Sequence, residues 1–173
     1  MENNNSGWIK ESLQSLVVAV IIALIIRTFI FQPFYIPSSS MEPTLVPGDR
    51  IIVSKLNYFF DAPNRGDVIV FRYPLDPSKD YVKRIVAMGG ETVELRSNRV
   101  LINDKAIAQD YLPEDIRFGD FGPLEVPEGS YFVLGDNRNN SQDSRYWGTL
   151  DKDYLIGEAV LIFWPLTRSG IID

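Results

Sequence analysis

Residues 67–102 read DVIVFRYPLDPSKDYVKRIVAMGGETVELRSNRVLI. Short runs rich in Val, Ile, Tyr and Phe are each closed by Gly, Pro, Asn or Asp, which is the pattern of β-strands and not of an amphipathic helix. The runs predict strands over Asp67–Tyr73, Tyr81–Met88, Thr92–Arg96 and Arg99–Ile102. Gly89-Gly90 and Ser97-Asn98 supply the turns of a meander from Tyr81 to Ile102. The same texture continues outward, with Arg50–Leu56 before this stretch and Tyr131–Leu134 and Gly157–Trp164 after it. The expected fold class is therefore mainly β, a compact antiparallel sheet domain over residues 34–173. Asp104–Pro127, with scattered charges, Pro and Gly, is expected to be a surface excursion.

The N-terminal part is different. Ser12–Phe31 reads SLQSLVVAVIIALIIRTFIF, with an unbroken apolar run from Leu16 to Ile26. About 20 helical residues span about 30 Å, the thickness of a bilayer's hydrocarbon core. A single transmembrane helix over residues 12–33 is expected, with residues 1–11 as a short terminus before it. Arg27 can snorkel to the interface, Trp8, Phe34 and Tyr35 suit headgroup depth, and Gln32-Pro33 ends the helix. Charge does not orient the span, because Lys10 and Arg27 lie at opposite ends. A cleaved signal peptide ending at the serines 38–40 is the competing reading. Its positive n-region would consist of Lys10, and Pro33, Phe34, Tyr35 and Pro37 crowd the cleavage site, so retention of the segment is favoured.

Composition removes several chemistries. The chain has 173 residues, a formal net charge of -6, and neither histidine nor cysteine. The acidic balance argues against nucleic acid as a partner. Without Cys or His there is no disulfide, no thiolate nucleophile and no Zn site of the usual ligands, and neither a metal nor another cofactor is expected. A Ser-His-Asp triad is impossible here.

Ser40 lies in Pro37-Ser38-Ser39-Ser40-Met41-Glu42-Pro43-Thr44, just beyond the apolar segment. A serine nucleophile in this chain needs a lysine as base, and that lysine must be desolvated to lose its proton near neutral pH. Lys10 is at the wrong end of the span, Lys79 and Lys105 sit in polar stretches, and Lys152 is held between Asp151 and Asp153. Lys83 and Lys55 remain. Strand periodicity places Lys83 on one face with Tyr81 and Ile85, and Lys55 with Ile51 and Val53 near a strand end. A third polar cluster runs from Leu134 to Gly148. It reads as a self-bonded network of Asx turns and Asp-Arg pairs, or as the source of a hydroxyl that orients the lysine. A calcium loop there is disfavoured by Arg138 at a ligand position.

Together, and in this order, these segments resemble the type I signal peptidase family. The nucleophile box resembles Pro37–Thr44, a strand box Gly66–Phe71, the lysine box Tyr81-Val82-Lys83-Arg84, and the last box Gly135–Arg145. Where the family usually continues the lysine box with Gly-x-Pro-Gly and an acid, this chain has Ala87-Met88-Gly89-Gly90-Glu91. The resemblance implies a membrane-bound serine endopeptidase with Ser40 as nucleophile and Lys83 as general base. It implies Ser38, with the Ser40 N–H, as oxyanion donors, Ser141 as the hydroxyl orienting the lysine, and Asp136, Arg138, Asp143 and Arg145 as structural support. It further implies preproteins bearing signal peptides as substrates, cleavage after small residues of the Ala-x-Ala type, and a single-pass anchor in the cell membrane. The N-terminus would be cytoplasmic and the catalytic domain outside. Two other readings are a self-cleaving Ser-Lys regulator, which would carry a DNA-reading domain in place of the apolar segment, and an anchored β-domain that only binds partners.

Overall fold

A computed structural model describes residues 5–56, 58 and 62–172. Helix α1 covers Asn5–Phe29 and is followed by twelve strands: β1 Phe31–Tyr35, β2 Arg50–Ser54, β3 Val68–Tyr73, β4 Asp76–Met88, β5 Thr92–Arg96, β6 Arg99–Ile102, β7 Lys105–Ala106, β8 Phe121–Glu125, β9 Ser130–Leu134, β10 Leu150–Asp151, β11 Leu155–Trp164 and β12 Gly170–Ile171. The larger sheet has the order β1-β2-β11-β3-β4-β9-β10, with β12 also on β11, and the smaller has β7-β6-β5-β8. Neighbours in both sheets are antiparallel. The mainly β antiparallel expectation agrees with this. β11 is shared economically: Leu155, Gly157 and Glu158 pair with β3, and Leu161 and Ile162 pair with β12 after β3 has ended.

Leu13, Leu16, Val17, Val18, Val20, Ile21, Ile22 and Leu24 of α1 are all exposed. Among the described residues no helix is long and apolar enough to cross a membrane. The expectations for residues 1–4 and for the Arg27 side chain lie outside what is described. One boundary is corrected: residues 31–33, expected at the end of the helix, belong to β1, where Phe31 faces Ser54 and Tyr35 faces Arg50. The backbone of this segment finds partners on β2, and Pro33 is tolerated because β1 is the edge strand.

Packing explains which runs lack alternation. In β9 every residue is buried. Phe132 and Leu134 face the cluster that joins the two sheets, with Val86, Val93, Leu95 and Val100, whereas Tyr131 and Val133 face Ile69, Phe71 and Ile85. A strand covered on both faces reads as continuously apolar. Asp104–Pro127 is not merely a surface excursion. It contains β7 and β8, and Phe118 and Val126 are core residues. β8 escaped notice because Gly122-Pro123 interrupts it, which an edge position in the smaller sheet permits. The strand expected over Arg50–Leu56 stops at Ser54, where the chain bends at Lys55 and Leu56.

Candidate active site

After β1 the chain leaves the sheet and turns through the three serines. Two side chains plug this turn into the core, because Met41 and Leu45 are fully buried beside Ile36, Ile51 and Val53. Its polar side is held by the 135–145 loop. Asn137 N donates to Ser40 O at 3.1 Å, Asn137 Nδ2 donates to Ser39 O at 3.1 Å, and Asn140 Nδ2 donates to Ser39 Oγ at 2.8 Å.

Lys83 reaches this turn from β4, where it faces Ile69 of β3. Its Nζ lies 2.9 Å from Ser40 Oγ and donates to Val82 O at 2.7 Å, with the Tyr81 ring centroid 5.4 Å away. The residue is 3% exposed. Burial pushes the Lys83 ammonium down from 10.5 to about 8, against the opposing pull of Asp143 and Asp136. Lys55, the other lysine left open by the sequence, lines a different cavity with Tyr58, Tyr131 and Lys152.

Ser40 and Lys83 open onto a cavity of about 640 Å³ whose walls include Phe34, Ile36, Ser38, Val70, Tyr81 and Ser141. Ser38 Oγ donates toward Ser40 Oγ at 3.5 Å. Ser141 Oγ is buried in the cavity wall and has no hydrogen-bond partner among the described residues, while the amine of Lys83 bonds Ser40 and Val82.

Of the four expected supporting residues, Asp136 is ion-paired to Arg84 and Asp143 to Arg145, while Arg138 joins the second group through hydrogen bonds. Asp136, fully buried, accepts from Arg84 Nε at 3.0 Å, from Arg84 Nη2 at 2.8 Å and from Thr44 Oγ1 at 2.6 Å. Asp143 accepts from Arg145 Nε and Nη2, each at 2.8 Å, and from Gly135 N at 3.1 Å. Arg145 also donates to Arg138 O at 2.7 Å, while Arg138 donates to Gly135 O at 3.1 Å and to Gln109 and Tyr111. Both groups brace the loop that carries Asn137 and Ser141. Breaking a buried pair from one side strands a charge, so Asp136→Ala is expected to destabilise the domain by about 3–5 kcal/mol in denaturant titration.

Several contributors were not singled out from sequence. Arg84 was visible as a charge inside an apolar strand, but its partner lies far along the chain. Asn137 and Asn140 were hidden among other polar residues of the same loop. Gly135 carries a specific steric demand: a Cβ there would collide with Ser141 Oγ and with the carbonyl oxygen of Ser40. Gly135→Ala is expected to displace the turn that carries Ser40 and lower kcat by about a hundredfold in a folded protein, as measured on a soluble peptide substrate. Glu91 fills the turn that departs from the family pattern, accepting from Met88 N at 2.7 Å and pairing with Arg65 at 2.5 Å.

A serine hydroxyl against a buried, weakly basic lysine at the floor of a cavity is an arrangement suited to acyl transfer. The family model described as signal peptidase, peptidase S26, matches residues 9–164. The chain belongs to this family. A signal peptidase I from Leptolyngbya laminosa is 44% identical over 170 residues, covering 92% of this chain and 82% of that protein. A probable signal peptidase I-2 from Synechocystis sp. is 42% identical over 171 residues, covering 95% of this chain and 77% of that protein. Among solved structures, a signal peptidase I from Enterococcus faecalis V583 superposes with a TM-score of 0.51 at 35% identity, covering 57% of this chain and 97% of that one. Membership makes the chain a peptidase, a hydrolase of signal-peptide processing. Among the described residues no group of three or more Asp or Glu side chains converges as a metal site.

Proposed function

We infer that the chain is a membrane-anchored serine endopeptidase that removes signal peptides from preproteins through a Ser40-Lys83 dyad. The observation that carries this reading is the 2.9 Å approach of the buried Lys83 amine to Ser40 Oγ. Neutral Lys83 takes the Ser40 proton as Oγ attacks the scissile carbonyl, and the resulting ammonium protonates the departing amine. The Ser38 hydroxyl and the Ser40 N–H serve as donors to the developing oxyanion. The acyl group on Ser40 then leaves by attack of water that the same lysine deprotonates. Ser141 holds the lysine during these transfers, and its unpartnered buried oxygen is free to do so. Small side chains of the Ala-x-Ala type precede the cut.

The anchor is the apolar run Leu16–Ile26, which extends past the described side chains of α1 that end at Leu24, with the N-terminus cytoplasmic and residues beyond the span outside the cell membrane. Its support is a 25-residue helix whose described apolar residues pack against no part of the core. Phe31, Tyr35, Trp164, Leu166 and Ile171 add exposed apolar surface on the domain itself. Residues 1–35 are expected to persist in the mature protein and to require detergent for extraction, with intact mass deciding the first point. A mass starting at Met41 would remove Ser40 and end the assignment. A protein beginning at Ile30 is expected to cleave a soluble peptide normally but membrane-bound preproteins poorly, because co-localisation in the bilayer is lost.

Cleavage of a synthetic signal-peptide substrate in trans is the direct test. A folded protein that binds the peptide without cutting it would leave an anchored binding domain in place of an enzyme.

A further inference from the structure

We propose that Arg168, in the C-terminal turn Leu166–Arg168, is a positioning residue for the nucleophile turn. It lies beyond the residues matched by the family model, which end at 164. Its partner is Asp49, a fully buried carboxylate just ahead of β2. Arg168 Nε donates to Asp49 Oδ1 at 3.0 Å and Nη2 donates to Oδ2 at 3.2 Å. The same Nη2 donates to the carbonyl oxygen of Thr44 at 3.2 Å. Asp49 Oδ2 in turn accepts from Val46 N at 2.9 Å, so one guanidinium and one carboxylate fix both ends of the 44–49 segment.

That segment continues directly from Ser40. Met41 O accepts from Leu45 N at 2.9 Å, which closes the turn onto Thr44 and Leu45. Thr44 is gripped from two directions: its hydroxyl donates to Asp136 at 2.6 Å, and its carbonyl accepts from Arg168. Asp136 precedes Asn137, whose N–H holds the Ser40 carbonyl. Arg168 therefore closes a ring of contacts that runs through Thr44, Asp136 and Asn137 to Ser40. It does so from outside the cavity, since it is not among the cavity's walls.

Removing the guanidinium leaves Asp49 buried without that cation and frees the Thr44 carbonyl. The segment must then shift to admit water to the carboxylate, and small displacements of an attacking atom have large effects on rate. Lysine can restore the charge but not the fork that grips Asp49 and Thr44 together.

The inference rests on Ser40 being the nucleophile. The test uses the full chain in detergent with a soluble signal-peptide substrate, at a temperature where circular dichroism shows each variant folded. Arg168→Ala is expected to lower kcat about ten- to a hundredfold with KM within about threefold, and to leave the rising limb of the pH profile in place because Lys83 is untouched. Arg168→Lys is expected to fall between the two. A folded Arg168→Ala with kcat within about twofold of the unaltered protein would overturn the inference, as would a change confined to KM. Should Arg168→Ala not fold, Arg168→Lys with unaltered kcat would overturn it equally. An active Ser40→Ala protein would instead mark failure of the nucleophile assignment, and the two failures are separable by assaying Ser40→Ala alongside.

Discussion

Replacement of Lys83 by alanine is expected to lower turnover of a synthetic signal-peptide substrate by about a thousandfold or more while the domain remains folded. Among the described residues the amine has no substitute in the Ser40 cavity: the chain contains no histidine, Lys83 is the lysine in that cavity's wall, and Lys55 lies on another cavity. Lys83→Arg should fail as completely, since a guanidinium stays protonated. Ser40→Ala should cost about as much, and the double replacement little more, because in the proposed dyad the two side chains form one proton-transfer unit. Retention of activity within about tenfold by correctly folded Lys83→Ala would remove the assigned base. Loss of the amine carries a stability signature of opposite sign. The fall of the Lys83 pKa from 10.5 to about 8 means that folding is opposed while the group is charged, an effect complete below about pH 8 and relieved as pH rises toward 10.5. The difference amounts to roughly 3 kcal/mol, so Lys83→Met is expected to be inactive yet more stable than the parent by about 1–3 kcal/mol at neutral pH in denaturant titration. An inactive but destabilised Lys83→Met would show that the buried amine is not the burden its surroundings imply.

The pH profile supplies the second large effect. In the proposed dyad Lys83 reacts in its neutral form, so kcat/KM is expected to climb about tenfold per pH unit below about 8 and to level off above it. Between pH 8 and pH 6 the rate should therefore drop by roughly fiftyfold, since kcat/KM of the free enzyme reports the ionisation of its essential base. A limb that continues to rise toward 10.5 would mean that the amine is solvated during the reaction. Replacement of Asp143 by Asn would move the limb to lower pH, because that carboxylate favours the ammonium, although its loss also unpairs Arg145.

The strand meander and the four ordered motif boxes were readable because each depends on residues close together in sequence. Period-2 alternation was enough to set Lys83 on one face with Tyr81, whose ring centroid lies 5.4 Å from the amine, but not to show that the amine meets the Ser40 hydroxyl. β1 and β8 were lost to the same cause, a proline within a short run, because a proline's compatibility with an edge depends on which strand lies next to it. That information is tertiary. The roles of Thr44, Arg84 and Asp49 were invisible for a related reason: a buried charge is recognisable only through its partner, and these partners stand far apart in sequence, as Arg84 does from Asp136 and Asp49 from Arg168. Gly135 shows the limit from the other side. Nothing in a glycine's neighbours discloses that a carbonyl and a hydroxyl occupy the space of its absent side chain.

Ile30 alone separates the last residue of α1 from the first of β1. β1 pairs along its whole length with β2, and its five residues correspond to about 17 Å of extended chain. With α1 seated in a bilayer, this joint leaves almost no slack, and the height of Ser40 above the lipid becomes a fixed dimension of the molecule. The protein would then act as a gauge, selecting the peptide bond it cuts partly by altitude over the membrane and not by side chains alone. Lengthening the joint at Ile30 by a few Gly and Ser residues should blur the choice of bond in membrane-bound preproteins and leave cleavage of soluble peptides as it was.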